Sequence, residues 1–272
     1  MMPGRRRVFS HVRDTMLELL FPVQCIGCGA EETWICERCQ RSIPVALFSQ
    51  CVFCNRASAY GKTCTACART RALDGVISDV PYRQPLMREM IHAYKYNNAV
   101  ALSFVLAHRM HNTIQKLREI QRHALATHLK RHTEHRYIAS DFPPISDPLI
   151  DCIPVPLHAK KQKQRGYNQA FLLARTLKEI SQYARSWNVR DVIRRTKATI
   201  PQAQLSTVDR VHNVHKAFRY IENTAPHAAR IALIIDDVIT SGSSCDEIAS
   251  ILKQNGYISV WGFAPAYGHH NA

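Results

Sequence analysis

Four C-x-x-C pairs follow one another between residues 25 and 67: Cys25/Cys28, Cys36/Cys39, Cys51/Cys54 and Cys64/Cys67, separated by seven, eleven and nine residues. A C-x-x-C turn aims two thiolates at one ion, and two such turns complete a tetrahedral site, so eight thiols make two four-thiolate sites. Residues 68–272 hold only Cys152 and Cys245, which makes the thiols a local feature of one segment. A secreted disulfide scaffold is small and stapled throughout. Iron–sulfur clusters use similar ligands, but paired knuckles favour structural zinc at two sites. Sequential pairing (25/28 with 36/39; 51/54 with 64/67) is the favoured arrangement. Cross-braced pairing stays open, because the loops are shorter than in common zinc patterns. Cys152 and Cys245 have no activating neighbour and read as small packed residues.

From Asp74 onward the texture changes. GVISDVPY (75–82), LIDCIPVPL (149–157), RIALIIDDV (230–238) and ISVWGFAPAY (258–267) read as strands, being β-branched or near-continuously apolar. Helical spacing recurs between them at 85–96, 168–186 and 246–254. Strands alternating with helices predict an α/β fold, with a mostly parallel sheet covered on both faces. The chain thus divides into an amino-terminal helix (1–21), a double zinc-ribbon module (22–72) and an α/β domain (73–272) with a basic helical region at 99–138. Its 272 residues carry 36 Lys and Arg against 21 Asp and Glu, and 36 − 21 gives a formal charge of +15. With 46% hydrophobic residues it is not a disordered tail. No apolar run approaches the roughly 18–20 residues of a membrane span and the basic amino terminus lacks a signal-peptide core, so a cytoplasmic location is expected.

The chemistry concentrates after the strongest strand. Ile234-Ile235 lead into Asp236-Asp237, then Val238-Ile239 and the small hydroxylated run Thr240, Ser241, Gly242, Ser243, Ser244. Backbone N–H groups at a helix start, with hydroxyls around them, cradle a phosphate. The adjacent carboxylates are placed to accept hydrogen bonds from vicinal ribose hydroxyls or to approach Mg²⁺. Beside the end of another strand stand His158, Lys160, Lys161, Lys163 and Arg165. The His-rich stretch 108–135 reads as a solvated face. The sparse aromatics form no evident stacking platform of the kind single-strand binders use.

The acids and the T-S-G-S-S loop resemble the phosphoribosyl-pyrophosphate (PRPP) signature of type I phosphoribosyltransferases, with Ser241 and Ser244 where that group often has Thr. Pro154-Val155-Pro156-Leu157-His158 and Arg165-Gly166-Tyr167-Asn168-Gln169 resemble the core of the ComF family of competence-associated, phosphoribosyltransferase-like proteins. Arg195, Thr199, Gln202, Arg210, Asn213, Ala217-Phe218 and Lys95-Tyr96 follow that family's spacing. Asn98 stands where Gly is common. Lys161 replaces an expected Arg, which keeps the charge but loses the bidentate fork.

The resemblance implies that Asp236 and Asp237 bind the ribose hydroxyls and that Thr240–Ser244 hold the 5′-phosphate. Lys160, Lys161 and Arg165 then face the pyrophosphate. Arg195 and Arg210 belong to a flexible loop (194–213) that closes over the site and stabilises the leaving group. Two functions follow from it. One is Mg²⁺-dependent transfer of ribose 5-phosphate from PRPP to a nitrogen acceptor, within competence, DNA uptake and the use of external DNA. The other is a non-catalytic accessory role, binding single-stranded DNA or the uptake machinery with PRPP as a signal. No general base and no acceptor are identifiable from the residues.

Overall fold

The computed structural model describes residues 22–130, 150–181, 186–196, 217–221 and 230–268. The expected amino-terminal helix, residues 131–138 of the basic region, and Lys197, Thr199, Gln202, Arg210 and Asn213 of the expected closing loop lie outside the described residues. The chain divides into two compact units, Met1–Pro44 and Val45–Ala272.

In the first unit, Cys25–Gly29 form a tight turn, with the Gly29 N–H donating to Cys25 O at 2.8 Å. Helix α1 (Glu37–Ser42) begins directly after Cys36. The buried apolar residues of this unit include Ile35, Ile43, Cys25 and Cys39.

The second unit opens with another pair of knuckles. A 3-10 turn (Ala59–Gly61) and the short helix α2 (Thr65–Ala68) connect them to strand β1 (Gly75–Ile77). Helix α3 (Pro85–Tyr96) starts where proline at the first turn is compatible with the missing N–H. The Gln84 side chain caps it by accepting from Met87 N at 2.6 Å. Its buried face is Met87, Met90, Ile91, Ala93 and Tyr94. The long helix α4 (Leu102–Lys130) follows, and then strand β2 (Ile150–Pro154), helix α5 (Ala159–Arg165), helix α6 (Gln169–Ile180) and strand β3 (Trp187–Val189). Strands β4 (Ile193–Arg195) and β5 (Phe218–Tyr220) pair as an antiparallel ribbon. Strand β6 (Arg230–Ile235), strand β7 (Val238–Ile239), helix α7 (Ser243–Gln254), strand β8 (Tyr257–Phe263) and strand β9 (Ala266–Tyr267) complete the described chain.

Five strands form one parallel sheet in the order β1-β8-β6-β2-β3, so the α/β class expected from the sequence is the class observed. The chain leaves β2 toward one edge and leaves β6 toward the other. Right-handed crossovers in opposite directions put α6 and α7 on opposite faces. The reversal falls between β2 and β6, where Pro154 pairs with Ile235. Ligands of open parallel sheets bind at the carboxyl ends of strands flanking such a switch point.

Three local expectations change. The predicted strand 75–82 ends at Ile77, because the next residues turn to receive the 46–48 segment: Ala46 N donates to Asp79 O and Phe48 N to Ser78 O, each at 2.8 Å. The edge strand β3 is too short to show as a pattern. Helix α7 begins three residues before the predicted 246, which brings Ser243 and Ser244 into its first turn.

Candidate functional site

The eight knuckle cysteines gather as Cys25, Cys28, Cys36 and Cys39, and as Cys51, Cys54, Cys64 and Cys67; within each group the four sulfurs lie within 4.8 Å of one another. The pairing is therefore sequential. Cys28 Sγ to Cys36 Sγ and Cys54 Sγ to Cys64 Sγ are each 3.6 Å. That is far beyond a disulfide bond of about 2.05 Å. It is close to the edge of about 3.8 Å for four sulfurs around zinc at roughly 2.3 Å. All ten cysteines are free thiols.

The knuckle backbone favours thiolates. Burial opposes ionisation of Cys25, but N–H groups of Cys36, Gly27 and Cys28 outweigh it and lower the thiol to about 6. The Cys67 N–H lowers Cys64 to about 7. Their crowded neighbours are driven the other way: the Cys36 thiol, with burial, raises Cys39 to about 12, and burial with three nearby thiols raises Cys67 to about 12. Four sulfurs this close ionise together only around a cation, and each cluster has the donor set to hold a zinc ion. Cys152 and Cys245 are buried in the α/β unit, and burial raises both thiols.

At the carboxyl end of β6, Asp236 and Asp237 stand side by side, with Asp237 N donating to Asp236 Oδ1 at 2.8 Å. Asp237 is ion-paired to Lys95 in the last turn of α3, Nζ to Oδ1 2.7 Å. Burial weakens the Lys95 ammonium, but Asp237 more than restores it, with Asp236 adding to the effect. Burial and the Asp237 charge raise Asp236 to about 7. Two adjacent acids at the strand end thus divide: one is paired with a lysine, and the other is poised near neutrality.

The loop after β7 enters α7 through Gly242, whose φ of +70° places it in the left-handed region. Ser241 Oγ and Ser243 Oγ are 2.9 Å apart, and Ser243 N donates to Ser241 Oγ at 3.4 Å. Thr240, Ser241, Gly242, Ser243 and Ser244 thus form a continuous run into the first helical turn, and Ser241 is buried.

The basic segment after β2 folds as α5, capped by the His158 side chain accepting from Lys160 N at 3.3 Å. Asn168 ties it back to the strand. Its Oδ1 accepts from Ala170 N at 3.0 Å and its Nδ2 donates to Val155 O at 3.2 Å. Arg165 donates to Gln169 Oε1 at 3.1 Å and lies over the Tyr96 ring at 4.9 Å. Tyr167 OH donates to Tyr94 O. Burial, then the charges of Arg195, Arg165 and Lys95, lower the Lys161 ammonium. Lys161, Arg165, Arg195 and Lys95 therefore share one positive field. Burial likewise lowers Arg195, which Asp236 and Glu247 partly restore. Lys160 is exposed. A cleft of about 580 Å³, lined in part by Pro156, Leu157, Tyr167, Asn168 and Phe171, opens beside this strand end.

The structure adds two features to the sequence reading. The sequence points to Lys95 only through family spacing, although a lysine in the last turn of an amphipathic helix is a readable signal. Tyr96 and Phe104 are exposed, at 62% and 55%, whereas the sequence suggested no stacking surface. Among the described residues no helix is long and apolar enough to cross a membrane.

The chain thus combines a parallel α/β sheet, with two acids and a hydroxyl-rich loop at its switch point, and two preceding four-cysteine clusters of zinc-ribbon type. No protein-family model matches the chain. It is 29% identical to Competence protein F of Haemophilus influenzae over 254 residues, covering 90% of this chain and 98% of that protein. It is 36% identical to the DNA utilization protein YhgH of Escherichia coli (strain K12) over 111 residues, 40% of this chain and 46% of the relative. Against the Salmonella typhi protein of the same name the identity is 35% over 120 residues, 43% and 49% of the two chains. These similarities agree with the ComF-family resemblance carried by the motifs.

Proposed function

We propose that this protein binds PRPP at the β2–β6 switch point and acts in competence and the use of external DNA, transferring ribose 5-phosphate from PRPP to a nitrogen acceptor. The observation that carries this reading is the division of charge at the switch point: an acid pair on β6 stands opposite Lys95, Lys161, Arg165 and Arg195, beside a hydroxyl-rich helix entry. Ribose hydroxyls donate to carboxylates, and phosphates accept from backbone N–H groups, serine hydroxyls and cations. PRPP carries all of these groups in one molecule. The names of the similar proteins support the wider role.

In this reading Asp236 and Asp237 orient the ribose, and Thr240–Ser244 anchor the 5′-phosphate. Lys160, Lys161 and Arg165 face the pyrophosphate, with Arg195, which lies on strand β4 of the ribbon and not in the expected flexible loop; Arg210 joins them by the family resemblance alone. The bond between C1′ and the pyrophosphate oxygen breaks, and pyrophosphate leaves with the electron pair. The acceptor nitrogen bonds to C1′ and gives up a proton. Mg²⁺ supplies charge neutralisation on the pyrophosphate, and Asp236 and Asp237 are the oxygen donors suited to it. The two cysteine clusters hold structural zinc, so the purified protein carries two zinc ions per chain.

Calorimetric titration of PRPP with and without Mg²⁺ tests the site. Binding in the wild type and its loss in Asp236→Ala combined with Asp237→Ala are expected; equal affinity in both proteins refutes the site. Pyrophosphate release with some acceptor, absent in the same variant, tests catalysis.

A second reading is favoured by one observation. Exposed Tyr96 lies under the guanidinium of Arg165, whose helix α5 also carries the exposed Lys160 and Lys163. An aromatic ring beside cations is how sequence-tolerant single-stranded DNA binders hold a base and its phosphates, and components of the uptake machinery would meet the same face. DNA affinity that falls with salt by about 0.7 log units per log unit for each phosphate neutralised is expected. A flat salt response in Tyr96→Ala and wild type alike removes this reading.

A further inference from the structure

The knuckle Cys51-Val52-Phe53-Cys54 packs against the loop that enters α7. Val52 is buried, and a Cβ at Gly242 would meet its Cγ1 at 2.9 Å and its Cγ2 at 3.3 Å, with Phe53 Cε1 at 3.4 Å. The isopropyl group thus fills the space on one side of a glycine held at φ +70°. In the first turn of α7, Asp246 Oδ1 accepts from Ala72 N at 2.8 Å and Leu73 N at 3.0 Å, and Asp246 Oδ2 meets Arg71 Nη1 at 3.3 Å. Arg71 in turn lies over the Phe53 ring at 4.9 Å. The segment leaving the last cysteine pair and the tip of the preceding pair therefore grip the same helix start.

These contacts matter for an anion. Four backbone N–H groups at a helix start bind phosphate only when their directions are fixed. A carboxylate in that first turn repels an arriving phosphate unless its charge is satisfied elsewhere, and Arg71 with the 72–73 N–H groups satisfies it.

We propose that the second cysteine cluster is a positioning element for the phosphate loop: Val52 seated on Gly242 and Arg71–Leu73 bound to Asp246 hold the amino end of α7 in its anion-binding shape. The inference rests on reading Thr240–Ser244 as the 5′-phosphate loop. It makes Val52 and Arg71 positioning residues that never touch the ligand. It also makes ligand affinity depend on the closure of a metal knuckle outside the sheet.

The test uses the full-length, zinc-loaded protein, with PRPP and Mg²⁺ as the probe. Val52→Ala keeps every cysteine. It is expected to retain wild-type zinc content, weaken PRPP about tenfold and speed amide hydrogen exchange in residues 240–246 without speeding it in 150–157. Val52→Ile restores the bulk and is expected to bind within twofold of wild type. Arg71→Ala is expected to weaken binding about fivefold at low salt and less at high salt, because an uncompensated Asp246 charge is screened. Cys64→Ser with Cys67→Ser is expected to lose one zinc ion and the PRPP affinity together; should it fail to fold, the Val52 and Arg71 variants decide. Val52→Ala and Arg71→Ala both binding within twofold of wild type overturns the proposal. If the wild type itself does not bind PRPP, the phosphate reading falls instead. Hydrogen exchange then judges the positioning alone, and unchanged exchange at 240–246 in Val52→Ala overturns it.

Discussion

The two cysteine clusters have the same donor set and sulfur spacing, yet they are built into the chain differently. The first is made from local partners: the Cys36 N–H reaches Cys25 Sγ at 3.3 Å, and Ile26 N donates to Trp34 O at 3.0 Å. The second shares the core of the α/β unit. Phe48, Val52 and Leu73 belong to one apolar cluster with Val76, Ile234 and Ile248, and the Phe48 ring is 4.6 Å from that of Tyr267. Thr63 N donates to Asp74 O at 2.8 Å, next to the start of β1. One set of ligands thus organises a short segment, while the other fastens a segment onto a sheet. A ligand pattern states what can be coordinated; the residues between the ligands state what the knuckle does.

The largest effect is expected when each metal site is removed in turn. Structural zinc contributes its binding energy to folding. Cys51→Ser with Cys54→Ser should therefore lower the melting temperature of the α/β unit by about 10 °C, taking roughly 2–4 °C per kcal/mol for a unit of this size. Cys25→Ser with Cys28→Ser should leave that transition within about 3 °C, at the limit of one kcal/mol on the same scale. Trp187 and Trp261 are buried in the sheet, so their near-ultraviolet circular dichroism follows the relevant transition. Equal shifts from the two pairs would erase the contrast.

A smaller and cleaner contrast uses two glycines with the same backbone conformation. Gly29 and Gly61 both have φ +74°. A Cβ on Gly29 meets nothing within 4 Å, whereas one on Gly61 meets Val76 O at 2.0 Å and Phe48 Cδ1 at 2.9 Å. Gly29→Ala should cost only left-handed strain, about 1–2 kcal/mol. Gly61→Ala must also push the 3-10 turn off β1, and its total should exceed about 3 kcal/mol as overpacking adds to the strain. Denaturant titration of both variants checks the difference. Equal costs would mean that the turn is not pressed against the strand.

How much of this was legible depends on the range of the interaction. Helix α3 was read at its observed limits because its cause is local: Pro85 at the first turn and apolar residues one turn apart. The acid pair and serine loop were legible as chemistry because they are contiguous. The start of α7 was not, since it depends on Gly242 taking a positive φ under Val52, 242 − 52 = 190 residues away in the chain. Lys95 against Asp237 is a contact of the same long range. One sequence signal does point to the packing of the second knuckle: it encloses Val52-Phe53, two large apolar residues with no reason to face water, where the first encloses Ile26-Gly27.

The finest distinction is whether the second cluster reaches past the loop to the carboxylates. Burial and the Asp237 charge raise Asp236 to about 7. A carboxylate raised on folding is protonated in the folded protein over the range from its ordinary pKa near 3.8 up to about 7, and charging it across that range disfavours the fold. Ribose hydroxyls and Mg²⁺ both require the ionised form. The affinity for PRPP with Mg²⁺ should therefore fall about tenfold for each pH unit below 7 and level off above it, one proton being released on binding. In Val52→Ala a loosened loop admits water to the strand end, so the inflection should move toward lower pH. In Cys25→Ser with Cys28→Ser it should stay near 7. Calorimetry between pH 5.5 and 8.5 measures all three profiles. A flat wild-type profile would show that Asp236 does not titrate in this range. An inflection unmoved in Val52→Ala would confine the second cluster's influence to the phosphate end of the site.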